Sequence, residues 1–303
     1  ICGPRAEFRT TLYCGDRLLE PGLRNYRIVE CSNCHLRFLN PRPINRLTYP
    51  ENRSSTESET PYHPFLSLQT DLSITDRLYL IARQFTIRWK RNKVREWIPP
   101  GGRVIDIGCG TGEFLNAIKN DYQVAGVEPE EQAANFGRDH YRIPIYTGTI
   151  DDLPQDLAAD LITFWHSLEH IPQPVEDLIK ALKHLKPQGK VLIAAPNCSS
   201  WDARIYQANW IAWDAPRHLY HFTPVTLSQL AQNAGLSVVA NGSLPLDHIY
   251  NILMSEKLAA ASLGKSFSFI SLFRAPLVAI LSPLYGMLTG NHSGMWYLLQ
   301  PTP

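Results

Sequence analysis

Residues 101–115 read GGRVIDIGCGTGEFL, an apolar run broken by one aspartate and followed by Gly108, Gly110 and Gly112. A short apolar run bounded by glycine reads as a buried strand. A glycine turn at its carboxyl end lets backbone approach a ligand closely, and the helix that follows offers unpaired N–H groups. Dinucleotides need the spacing G-x-G-x-x-G, which rests a pyrophosphate on the helix start. The spacing here is one residue shorter, and Asp106 stands two residues before the first glycine. A carboxylate aimed into that space repels a pyrophosphate and suits a ligand bearing a cationic sulfonium and an amino group.

Outward from this stretch, strand-like and helix-like segments alternate. "QVAGVEP", "IPIYTGT", "GKVLIAAPN" and "SVVANG" read as further strands, and "ADLITFWHSLEH" holds another that runs into a polar helix start. Between them lie the helical stretches Glu113–Asn120, Glu130–His140 and Val175–Leu185. "TPVTLSQLAQNAGL" is a helix with Thr223 as N-cap and Gly235 at its end. That order predicts an α/β fold, a Rossmann-like parallel sheet with helices on both faces. Upstream, Asp71–Ile98 is helical, and its last turns carry Arg88, Lys90, Arg91, Lys93 and Arg95, a charge run expected on a solvated face. Four regions follow: a cysteine-bearing head (1–48), a polar linker (49–70), the nucleotide-fold domain (71–245) and an apolar helical tail (246–303).

The chain has 303 residues, 44% of them hydrophobic and 19% charged, enough for a sizeable core. Its net charge of +1 gives no bulk reason to expect nucleic acid. No stretch has the pattern of a signal peptide, so a cytoplasmic setting is expected. From Phe267 to Leu288 the tail is apolar but interrupted by Arg274, Pro276, Pro283 and Gly286, a poor bilayer span. A buried hairpin of helices and shallow insertion into a membrane surface both remain open.

The second strand ends in Glu128, where an acidic side chain can accept hydrogen bonds from two ribose hydroxyls. Asp106, the Gly108–Gly112 loop and Glu128 together resemble the cofactor site of class I S-adenosylmethionine-dependent methyltransferases. The likeness runs from Gly101 to Ser243 and implies a seven-stranded, mostly parallel sheet. It implies S-adenosylmethionine as cofactor, held by Asp106, Gly108, Cys109, Gly110, Gly112, Glu128 and Pro129. "GTIDDLP" resembles the segment bordering adenine, which assigns Thr149, Ile150 and Asp151. Many members have an acid where Thr149 stands, so the adenine contact falls to Asp151 or to backbone. "TFWHSLEHIPQP" resembles the fourth-strand segment, with Phe164 and Trp165 beside the methionine part. "PRHLYHFTPVTLSQLAQNAGL" is similar to the later loop and helix of the subgroup modifying quinones, sugars and small glycolipids. A hydroxyl on such a small-molecule acceptor is the expected target.

An oxygen acceptor needs its proton removed by a base or acidified by a metal. His166, Glu169 and His170 share a helix face if a helix has begun by His166. Ubiquinone-pathway O-methyltransferases and small-RNA 2′-O-methyltransferases carry E-x-x-E-H here, binding a divalent cation. His166 replaces the first glutamate, which softens the site, so metal binding, base catalysis and simple bracing all stay open. Trp201, Trp210, Trp213, Asp214, Arg217, His218, Tyr220 and His221 follow the fifth strand. They either line the acceptor crevice, with His218 as a contact, or close the core. His166, His170 and His218 are the candidate catalytic residues.

In the head, Cys31-x-x-Cys34 has the shape of a zinc knuckle. Cys2 looks like the latter half of a second such pair whose first member lies upstream; otherwise Cys14 is the fourth ligand. "YRIVECSNCHLRFLNPRP" resembles the zinc-ribbon heads of some bacterial methyltransferases of polysaccharide and sugar pathways. That likeness implies a structural zinc ion on Cys2, Cys14, Cys31 and Cys34. Two other functions compete: a nicotinamide-dependent oxidoreductase, and a non-catalytic zinc-ribbon binding protein.

Overall fold

The structure, a computed structural model, describes residues 7–16, 26–42, 74–264 and 269–302, with the backbone alone at 74–79 and 269. Three short strands open it: β1 (Phe8–Cys14), β2 (Tyr26–Cys31) and β3 (Arg37–Leu39). Helix α1 (Ile74–Trp97) leads to an alternating series. That series is β4 (Arg103–Ile107), α2 (Glu113–Ile118), β5 (Gln123–Glu128), α3 (Glu131–Tyr141) and β6 (Ile145–Thr147). It continues through β7 (Ala159–Trp165), α4 (Pro174–Lys183), β8 (Leu185–Pro196), α5 (Trp201–Tyr206) and β9 (Tyr220–His221). Last come α6 (Pro224–Asn233), β10 (Leu236–Ser243), α7 (Asp247–Ala261), α8 (Phe269–Thr289) and β11 (Gly294–Pro301).

Seven strands form one sheet in the order β10-β11-β8-β7-β4-β5-β6. β4 to β8 run parallel, and only β11 is antiparallel to its neighbours. The expected α/β class and strand count therefore hold. Each central strand is apolar on both faces because helices cover both. Ile105, Ile107, Ile162, Phe164 and Ile193 pack on one side; Val104, Leu161, Trp165 and Leu192 join α1 and α2 residues on the other.

Helices α3, α5 and α6 begin where the sequence offers a capping side chain, Glu130, Ser200 and Thr223. Thr223 accepts from the Thr226 N–H at 3.2 Å and Pro224 opens α6, so that helix starts as expected. The helix anticipated at His166 does not form. His166 sits at φ 54°, and only a single 3₁₀ turn follows at Leu168–His170.

Two boundaries differ from expectation. The tail is not all helical, since β11 threads between β10 and β8. Its side chains alternate, Met295, Tyr297 and Leu299 to one face and Trp296 and Leu298 to the other, and all five are buried. Because both faces are apolar, the period of two vanished into the apolar tail. The head is not self-contained either. β1, β2 and β3 form an antiparallel sheet whose fourth strand is β9, with Arg37 opposite His221 and Phe38 opposite Tyr220.

The zinc assignment of Cys14 is corrected by register. Phe8 faces Cys31, whereas Cys14 faces Tyr26 at the far end of the hairpin. Six residues of strand separate the two positions by ~20 Å. Cys14 is buried among Ile28, Leu39 and Trp213 instead. Cys2 and the linker 49–70 lie outside the described residues.

Candidate active site

The carboxyl ends of β4, β5 and β7 meet where the strand order reverses, the crevice that ligands use in open α/β sheets. Gly108, Gly110 and Gly112 all adopt positive φ there. At Gly108 a methyl would lie 2.6 Å from the Ser167 Cβ, so the loop and the turn after β7 touch directly. At Gly110 it would enter open space, the volume a ligand needs. The Cys109 side chain turns down toward Gly126 and away from that space, and burial pushes its thiol well up.

Glu128, 6% exposed, accepts from the Gly110 N–H at 2.8 Å and from the Glu130 N–H at 3.0 Å. Two bonds leave the carboxylate further lone pairs for hydroxyls. Strand alternation puts Asp106, Thr163, Trp165 and Glu128 on the same face of the sheet. Thr163 Oγ1 donates to Asp106 Oδ1 at 2.6 Å, and burial raises Asp106 to about 7. Lys90 comes over the same face from α1, its ammonium 4.4 Å from the Trp165 ring. Burial brings it down to about 8 against the pull of Asp106. Lys90 thus leaves the solvated charge run, while Arg91 and Arg95 stay outside on Asp121. Bare backbone, a ribose-sized acceptor and a carboxylate beside a cation fit S-adenosylmethionine, whose own charges are a sulfonium, an ammonium and a carboxylate.

The remaining cofactor candidates divide. Trp165 faces the site and packs on Phe114 and Trp89. Phe164 points to the opposite face, fully buried in the other core cluster, so its side chain is structural. Pro129 and Thr149 are exposed and Ile150 is buried. Thr149 and Asp152 close a capping box, and Asp151 reaches Lys180 at 2.6 Å.

Beyond β7 the chain assembles a polar cluster. His166 bridges two carboxylates, with Nε2 at 3.1 Å from Asp247 Oδ2 and Nδ1 at 3.5 Å from Glu169 Oε1. Burial alone would lower His166, but Asp247 and Glu169 bring it to about 9. Burial opposes ionisation of Glu169 as well, yet the His166 hydrogen bond and neighbouring histidines hold it below the usual carboxylate range. Glu169 is 1% exposed, and among the described residues its oxygens find no other close donor.

Glu169, His170 and His218 place one ligand atom each within 4.8 Å of one another. Both rings are oriented by backbone carbonyls. His170 Nδ1 donates to Arg217 O at 3.0 Å and His218 Nδ1 to Ala212 O at 2.8 Å, so both Nε2 lone pairs are left available. A buried carboxylate whose one close donor is His166, beside two such imidazoles, fits a divalent cation. Burial, then the neighbouring His170, lowers His218 to about 4. His166 stands apart from this set, engaged with Asp247.

The acceptor loop resolves the tryptophans. Trp210 and Trp213 are buried, their indole N–H groups bonded to Asp202 and to Gln207 O, so they close the core. Arg217 ties the loop down, pairing with Asp214 and with Asp16 of the head at 2.9 Å. Sequence reasoning missed Lys90 and Asp247. Lys90 was hidden in a basic run, and Asp247 lies some eighty residues from its partner with no motif around it.

A crevice of this form at the reversal of a seven-stranded sheet defines a class I S-adenosylmethionine-dependent methyltransferase. Residues 80–241 match the family described as a methyltransferase domain, and the chain belongs to it. It is 29% identical over 171 residues to the ubiquinone biosynthesis O-methyltransferase of Idiomarina loihiensis, covering 52% of this chain and 70% of that one. The ubiquinone biosynthesis O-methyltransferase of Xanthomonas axonopodis pv. citri is 26% identical over 154 residues. That alignment covers 46% of this chain and 64% of the relative, under two thirds of its length. A solved S-adenosylmethionine-dependent methyltransferase of Thermotoga maritima shares the fold, with a TM-score of 0.50 at 21% identity over 80% of this chain and 100% of that one.

Proposed function

We propose that the protein methylates a hydroxyl on a small acceptor that is quinone-like, a sugar or a glycolipid. The observation that carries the reading is the Glu169–His170–His218 cluster, which the turn after β7 and the loop before β9 bring together, with the Nε2 lone pairs of both imidazoles left available for a cation. Ser167, two residues before Glu169, touches the glycine loop, so acceptor and cofactor would meet across one turn of chain. Asp106 and Lys90 would take the charged methionine end of the cofactor, Gly108–Gly112 its body and Glu128 its ribose. A divalent cation, when bound, would acidify the acceptor hydroxyl. Glu169, His170 and His218 would hold it, and His166 with Asp247 would fix the position of Glu169. In-line positioning of the oxygen on the sulfonium methyl then carries much of the rate. The quinone-pathway relatives favour an aromatic hydroxyl within that range.

The test is a screen of candidate acceptors read by mass spectrometry for a methyl gain, repeated with His218→Ala and with chelator. Both perturbations should lower turnover about a hundredfold, with cofactor affinity within about twofold of wild type. Undiminished turnover in the variant, or methylation at nitrogen or carbon, would overturn the proposal.

The head is proposed to bind structural zinc through Cys31 and Cys34, with the other ligands from the chain before Phe8, Cys2 among them. In support, the Cys31–Cys34 turn closes tightly: the Cys31 carbonyl accepts from the His35 N–H at 3.0 Å, and the Cys31 N–H donates to the Leu36 carbonyl at 3.0 Å. Metal analysis of the purified protein checks this, and a chain without bound zinc would sink it.

A further inference from the structure

Helix α8 turns an uncharged apolar edge to solvent along its length. Ile270, Phe273, Leu277, Ile280, Leu284 and Met287 are all exposed, Phe273 at 67% and Met287 at 68%. Steps of three and four residues place them in one stripe, about 25 Å long at the helical rise. Of the most apolar window only 22% is buried, far from what a core helix requires. An exposed patch of this extent marks an interaction site.

The opposite face is fastened to the body. Ser271 Oγ donates to Glu256 Oε2 at 2.7 Å, Ser282 Oγ donates to Asp202 Oδ1 at 3.2 Å, and Val278 is buried. Pro276 and Pro283 lie within the helix. A spanning helix would have to abandon these bonds, so the arrangement suits lying flat on a surface.

Charge selects the occupant. Helices α5, α7 and α8 carry three carboxylates, and all are turned inward. Asp202 and Glu256 are buried, and Asp247 pairs with His166. Arg274, the one charge on α8, is held in a two-pronged bond by Glu256 at 2.7 and 2.8 Å. The exposed charges on these helices are both cations: Arg204, 5.4 Å over the Tyr285 ring, and Lys257, one turn beyond the exposed Leu253. A second copy of the chain would oppose the same sign of charge and supply no polar rim. We propose that this face docks on an anionic lipid bilayer, the α8 stripe at the acyl boundary and Arg204 and Lys257 among the phosphates. The proposal does not depend on which acceptor is methylated.

Sedimentation of the full chain with vesicles tests it, using phosphatidylcholine alone and phosphatidylcholine with phosphatidylglycerol. Wild type should pellet with the anionic vesicles and bind neutral ones about tenfold more weakly. Leu277→Glu/Ile280→Glu should weaken binding to anionic vesicles at least tenfold, with melting temperature and cofactor titration unchanged. Arg204→Glu/Lys257→Glu, which leaves the apolar stripe intact, should remove the preference for anionic lipid. Wild type remaining in the supernatant with both vesicles would overturn the proposal. So would a lipid-independent dimer by ultracentrifugation that Leu277→Glu/Ile280→Glu dissolves.

Discussion

Glu128 joins two functions in one carboxylate. It grips the ribose in the function proposed above, and it already holds the Gly110 and Glu130 N–H groups. Each charge-assisted bond is worth about 1.5–3 kcal/mol. Glu128→Ala should therefore weaken cofactor binding at least tenfold by calorimetry while circular dichroism stays unchanged; equal affinity would remove Glu128 from the site. Asp106 gives the pH dependence. With its pKa raised to about 7 by burial, it is protonated below that pH and can then offer a sulfonium no negative charge. Cofactor affinity should rise as pH increases through about 7, and below it binding should release a proton. Calorimetry in buffers of different ionisation heat would show this, and Asp106→Asn should flatten the profile. These acids, with His170 and His218, were legible because spacing and strand ends announce them. Lys90 and Asp247 were not, since each owes its place to packing between elements distant in sequence.

Among the elements, the two-residue strand β9 links regions far apart in sequence. It completes the head sheet through β3, and it continues directly from the loop carrying Arg217 and His218. Leu39 and Glu169 both bond to Leu219 backbone, Leu39 N–H to its carbonyl and the Glu169 carbonyl from its N–H. The head is thereby a clamp on the histidine loop. Arg217→Met would take from Asp214 and Asp16 the guanidinium they share, a loss of about 3–5 kcal/mol for a broken buried pair. Urea denaturation should show that cost, and acceptor turnover should fall while cofactor affinity persists. If turnover were unaffected, the clamp would have no bearing on chemistry. The parallel strands could be read in advance because each is an apolar run between helical patterns. β9 could not, because two residues carry no period and their pairing partners lie almost two hundred positions earlier.

At the scale of the whole molecule, sheet order follows from alternation up to β8, but closure depends on β11. Its eight residues pair with β8 on one side and β10 on the other, so both neighbours lose their edge bonds without it. Truncation before Gly294 should leave no cooperative unfolding transition by calorimetry, whereas removing the apolar surface of α8 by substitution should leave one. A normal melt of the truncated chain would show that β10 can dock on β8 alone.

The position of β11 also sets a schedule for biosynthesis. Five parallel strands leave the ribosome with one flank of β8 bare, and that flank stays bare while more than ninety further residues are translated. During that interval the nascent chain offers an unpaired apolar ribbon to whatever chaperone attends the exit tunnel. Strand β11 then closes the gap in a single step, making its arrival the checkpoint for native structure.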